Sequence, residues 1–134
     1  MSKFGECAVR ASKVLQARHD FGPNDAWAMA AREIFPSSPS SQKKSCPRKA
    51  FEGLCYAGKV KDIGGEKVQY AQPSQNGDYA LEGLRILAGN PSLTSHPKTL
   101  WREVLKNLEL DEEKQPNGQM EVLIALFERN LIAS

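Results

Sequence analysis

The feature that most constrains this chain is that it aligns with itself. Cys7-Ala8-Val9-Arg10-Ala11-Ser12-Lys13-Val14-Leu15 matches Tyr79-Ala80-Leu81-Glu82-Gly83-Leu84-Arg85-Ile86-Leu87 at an offset of 72, with Gly5 opposite Gly77. Pro23-x-x-x-Trp27 matches Pro97-x-x-x-Trp101 at an offset of 74. Ala50-Phe51-x-x-Leu54-x-x-x-Gly58-x-Val60 then matches Val122-Leu123-x-x-Leu126-x-x-x-Asn130-x-Ile132, again at 72. Three blocks in the same order read as an internal duplication, so one supersecondary unit is expected twice.

Each copy reads as three helices. The first block carries Ala8, Ala11, Val14 and Leu15 on one helical face. In the second, Pro23 or Pro97 suits the first turn, where its missing N–H is no loss, and a tryptophan follows one turn later as the anchor of the core. The third block follows Ser45-Cys46-Pro47, with the proline expected near the first helical position and Cys46 as the capping residue. It ends at Gly58, or at Asn130 in the second copy, the two residue types best suited to a left-handed helix terminus. Gly53 and its counterpart Ala125 are small enough for close helix packing.

Between the copies, 59–63 and 66–71 flank Gly64-Gly65 and read as a short β-hairpin. Residues 72–77 read as a linker, and 37–42 and 111–118 as loops, by their Pro, Ser, Asn and Gly content. The expected fold is therefore mainly α. Two tandem pseudo-symmetric three-helix units, residues 1–72 and 73–134, pack as one compact domain, with a wing-like hairpin after the first.

The two halves differ in charge. Residues 1–72 carry twelve Lys/Arg against seven Asp/Glu, net +5, and residues 73–134 carry six against nine, net −3. No apolar run reaches the roughly 18 residues of a membrane span, and the first residues lack the apolar stretch of a secretory signal, so a cytoplasmic protein is expected. Three cysteines do not make an even-numbered disulfide framework, and Cys7 and Cys55 read as small core residues.

The candidate site lies in the first half. Lys43, Lys44, Arg48 and Lys49 crowd the start of the third helix, where backbone N–H groups and the helix dipole already favour an anion. Lys59, Lys61 and Lys67 on the hairpin would extend these cations along one side, and Tyr56 could meet a base or sugar. The plainer reading of the same charges is a solvated face. Cys46 among four cations is a candidate reactive thiol, but a cysteine enzyme also needs a positioned base. Only His19 and His96 exist, and no spacing brings either to it. No C-x-x-C or H-x-x-x-H pair offers a metal site, and no glycine-rich phosphate loop implies a nucleotide cofactor. No cofactor, metal or catalytic residue is assigned.

Two resemblances arise from these motifs. Ala50-Phe51-x-x-Leu54-x-x-x-Gly58-x-Val60 followed by a glycine-turned hairpin resembles the recognition helix and wing of winged helix-turn-helix regulators. Over nearly its whole length the chain also resembles a family of small bacterial proteins of unknown function, through Ser45-Cys46-Pro47-x-x-Ala50-Phe51-x-Gly53-Leu54-Cys55-x-x-Gly58. That second resemblance implies no activity. The leading expectation is a non-enzymatic binding protein with nucleic acid as its partner. The alternatives are a protein-interaction adaptor or homodimer joining basic and acidic halves, and a redox-sensitive or catalytic Cys46 protein.

Overall fold

Serine caps open the first helix of each half. In the computed structural model, which describes residues 2–18, 20–63 and 74–133, Ser2 Oγ accepts from the Gly5 N–H at 3.0 Å and starts α1, Lys3–Ala17. Ser74 Oγ accepts from the Gly77 N–H, also at 3.0 Å, and starts α5, Gln75–Gly89. Each contact satisfies a donor that has no partner within the helix. Residues 75–77, expected in a linker, are thus the first turn of α5.

Proline opens the tryptophan helices, α2 (Pro23–Ile34) and α6 (Pro97–Asn107). Asp25 closes the start of α2 by accepting from the Gly22 N–H at 3.2 Å. A single turn, Pro39–Gln42, forms α3 where a loop was expected, because Ser38 Oγ accepts from the Ser41 N–H and Pro39 fits the first helical position. The third blocks are α4 (Ser45–Tyr56) and α7 (Gln119–Glu128). α4 starts earlier than expected: Lys44 is its N-cap, and Cys46 and Pro47 lie inside its first turn. Proline is tolerated there because none of the first N–H groups has an intrahelical acceptor.

Both α4 and α7 end in the same way. Gly58 and Asn130 adopt φ of +71° and +62°. The Lys59 N–H then donates to Leu54 O, and the Leu131 N–H to Leu126 O, at 2.9 Å each, which satisfies carbonyls that the helix leaves open.

The expected hairpin does not form from its first arm. Val60 instead makes an isolated antiparallel bridge with Ile132. The Lys61 N–H donates to Leu131 O at 2.7 Å, and the Ala133 N–H to Lys59 O at 2.8 Å. Val60 and Ile63 are both buried, and Asp62 between them takes φ +61°. Two apolar residues three apart cannot both face the core from a straight strand, so the chain turns. The second arm, 66–71, and the Gly64-Gly65 turn lie outside the described residues.

One apolar core draws on both halves. α1 packs on α2 and α7, α4 on α2, α5 and α7, and α5 on α6. Trp27 stacks at a tilt on Phe51, centroids 5.6 Å apart, and Tyr79 meets Trp101 edge-on at 5.1 Å. The tightest crossing joins α4 to α5: a Cβ built on Gly53 would stand 2.3 Å from the Gly77 Cα. The two backbones touch, which only glycine permits.

Candidate functional site

The first turn of α4 carries no acidic residue, and its N-cap, Lys44, has no acceptor with which to close the helix end. Lys43, Lys44 and Lys49 are exposed there. Among the described residues, no carboxylate lies within ion-pair distance of any of the three. Arg48 behaves differently. Its Nε lies 3.6 Å from Glu52 Oε1, too far for a hydrogen bond, and that nitrogen is buried without a hydrogen-bond partner. Glu52 is itself only 9% exposed. Burial pushes its carboxyl above the usual carboxylate range, opposed by Arg48 and Lys49. Arg48 therefore lies along α4 over a buried acid, and the lysines face solvent.

The neighbouring elements add residues that sequence reasoning missed. Lys3 and Phe4 in the first turn of α1, and Phe35 at the C-cap of α2, reach the same corner. Lys44 Nζ stands 5.6 Å from the centroid of Phe4, and Lys3 Nζ 5.8 Å from that of Phe35. Gln42 Nε2 donates to Phe35 O at 2.7 Å, which ties α3, and with it Lys43, to the end of α2. The available signal was the pair Lys3-Phe4 just before the repeated glycine. Nothing in the sequence spacing brings Phe35 to it.

The remaining expected site residues lie elsewhere. Tyr56, 44% exposed, stands at the far end of α4, about 15 Å from the first turn at 1.5 Å per residue. It edges a groove of about 200 Å³ with Gly53, Ala57, Gly77 and Leu81. Lys59 and Lys61 flank the bridge to Ile132, where Lys61 O accepts from Gln16 Nε2 at 3.0 Å. Lys67 lies outside the described residues. The structure thus gathers Lys43, Lys44, Arg48 and Lys49 at one end of α4, and Tyr56, Lys59 and Lys61 at the other.

The winged-helix resemblance does not survive this geometry. Pro47, Ala50, Phe51, Glu52, Gly53, Leu54 and Cys55 are all buried, and α5 covers the Gly53 face. A recognition helix needs a free face to enter a groove, and α4 exposes only a narrow strip with Ser45, Lys49 and Tyr56.

Cys46 is half-buried in the first turn of α4, whereas Cys7 and Cys55 are buried in the core. Burial pushes the Cys7 thiol up to about 12, helped by Glu6 and opposed by Arg10. His96 is the N-cap of α6, in the other half of the chain, and His19 lies outside the described residues. Among the described residues no three His, Cys, Asp or Glu side chains could hold a metal ion, and no helix is long and apolar enough to cross a membrane. Trp27 and Trp101 are core residues, 1% and 4% exposed.

No curated protein and no solved structure matches the chain. A family model does match, over residues 1–133, so the chain belongs to a family of unknown function, DUF6979.

Proposed function

We propose that this is a non-enzymatic binding protein that contacts a nucleic-acid backbone through the lysine corner at the start of α4. The reading is joined to a second one, that residues 1–72 and 73–134 are copies related by a pseudo-two-fold axis. In support of the duplication, Val60 pairs with its own counterpart Ile132, and the two flanking hydrogen bonds exchange under the 72-residue offset. The third helix of each half also packs on the first helix of the other, α4 on α5 and α1 on α7.

Such a duplication contains its own control. Lys43, Lys44, Arg48 and Lys49 correspond to Gln115, Pro116, Met120 and Glu121. The same scaffold position folds without any of these cations, so packing does not require them. That difference carries the functional reading: four cations are concentrated where the fold tolerates none, beside a helix end whose dipole and N–H groups favour anions. Glu52 offsets Arg48, which lies 3.6 Å from it, and leaves the exposed Lys43, Lys44 and Lys49, with Lys3 beside them, as the cations open to a phosphate.

The test is fluorescence anisotropy of a labelled random oligonucleotide, titrated with the protein at about 50 and 200 mM salt. Four phosphate contacts predict a loss of affinity on the order of a hundredfold across that range for a duplex, and somewhat less for a single strand. Replacing Lys3, Lys43, Lys44 and Lys49 by alanine removes the binding. Absence of binding at low salt refutes the reading and turns attention to self-association between basic and acidic halves.

A further inference from the structure

Lysines alone would bind any polyanion, but aromatic rings stand among these. Phe4 and Phe35 lie with centroids 5.2 Å apart and planes tilted by 47°. Both are partly exposed, and the cations over them, Lys44 and Lys3, are exposed too. Each ring thus turns a face toward a flexible charged side chain, which can leave for a phosphate. Phe4 is held in place: a Cβ on Gly118 would come within 3.2 Å of its Cδ2 and 3.1 Å of Pro47 Cβ. The backbone of Phe35 is tied to α3, its carbonyl accepting from Gln42 Nε2.

We infer that the corner takes single-stranded nucleic acid: an unpaired base stacks on the Phe4–Phe35 pair, and Lys3, Lys43, Lys44 and Lys49 hold the flanking phosphates. This rests on the backbone-binding reading above and narrows its ligand. Duplex bases hide their faces in their own stack, so a duplex can use only the lysines. An unpaired base uses both, since any base presents a π-face to an aromatic side chain. The second half supports the pairing of functions. Lys3, Phe4 and Lys44 correspond to Gln75, Asn76 and Pro116. Ring and cations disappear together there, and Asn76 Oδ1 accepts instead from Gln119 Nε2 at 3.0 Å.

The experiment compares three labelled twelve-nucleotide probes on the full chain at low salt: oligo-dT, an abasic strand of the same length, and a duplex. Oligo-dT is expected to bind roughly tenfold tighter than the abasic strand, the usual order for stacking one base. Phe35→Leu and Phe4→Leu should each reduce oligo-dT affinity toward the abasic level with the salt slope unchanged, whereas Phe35→Tyr should retain it. Equal affinity of the wild-type protein for the oligo-dT and abasic strands overturns the stacking site while leaving the backbone contact standing, and needs no variant to fold. No binding to any of the three overturns both.

Discussion

Two buried glycines, Gly53 and Gly83, and the exposed Gly58 have different surroundings, and their substitutions should differ accordingly. At Gly53 a methyl group would meet backbone, the Gly77 Cα at 2.3 Å, so α4 and α5 must separate. At Gly83 it would meet Leu123 Cδ2 at 2.7 Å, the end of a side chain that can rotate. At Gly58 nothing lies within 4 Å, and only φ of +71° opposes the change. Urea unfolding should therefore rank Gly53→Ala as the most damaging. Its expected loss is about 3 kcal/mol, the upper part of the overpacking range, against about 1 kcal/mol for Gly58→Ala, the cost of a left-handed non-glycine residue. Equal losses would mean the crossing is not tight. Cys7 gives a second prediction at this scale. Burial holds the folded thiol's pKa up at about 12, whereas the unfolded thiol ionises near the ordinary 9.0. Above pH 9 the unfolded state thus holds fewer protons, so this group's contribution to stability falls as pH rises. The urea midpoint should drop between pH 8 and pH 10, and Cys7→Ala should flatten that drop. Sequence alone marked Gly53 as a packing residue but placed Gly77, its partner, in a linker. A small residue advertises a close approach without naming what approaches.

At the level of elements, helix faces were legible and helix ends were less so. The spacing of Ala8, Ala11 and Leu15, all fully buried, states which side of α1 faces inward whatever lies there. The start of α4 was misplaced because proline is acceptable at any position of a first turn, so Pro47 bounded the end only loosely. The Gly64-Gly65 signal suggested a local hairpin, yet the first arm pairs with residues more than seventy positions away. Turn chemistry is local, and it cannot report a distant segment with matching free backbone groups. The candidate site suffered the same blindness. Four of its cations are close in sequence and were legible at once, whereas Phe4 comes from the start of α1 and Phe35 from the end of α2, brought together by packing of α1 on α2.

For the whole molecule, the consequence of pairing α4 with α5 and α1 with α7 is that neither half owns a complete core. Residues 1–63 supply Phe51, Leu54 and Trp27, but α5 closes the Gly53 face of α4, and α1 leans on α7. A chain of about sixty residues buries only about 60% of its unfolded surface even when its core is its own, and is marginal on that account. A half deprived of its partner's helix should fall below that margin. Peptides 1–72 and 73–134 made separately should each show little helical circular dichroism and an unprotected amide spectrum. Mixed at equal concentration they should recover helicity, because the opposite net charges, +5 and −3 by residue count, assist their encounter. Gly53→Ala in the first peptide should abolish that recovery, since the substitution blocks the α4–α5 crossing on which reassembly depends. Independent folding of either peptide would show instead that the halves are self-sufficient units and that the exchange of helices contributes little to their stability.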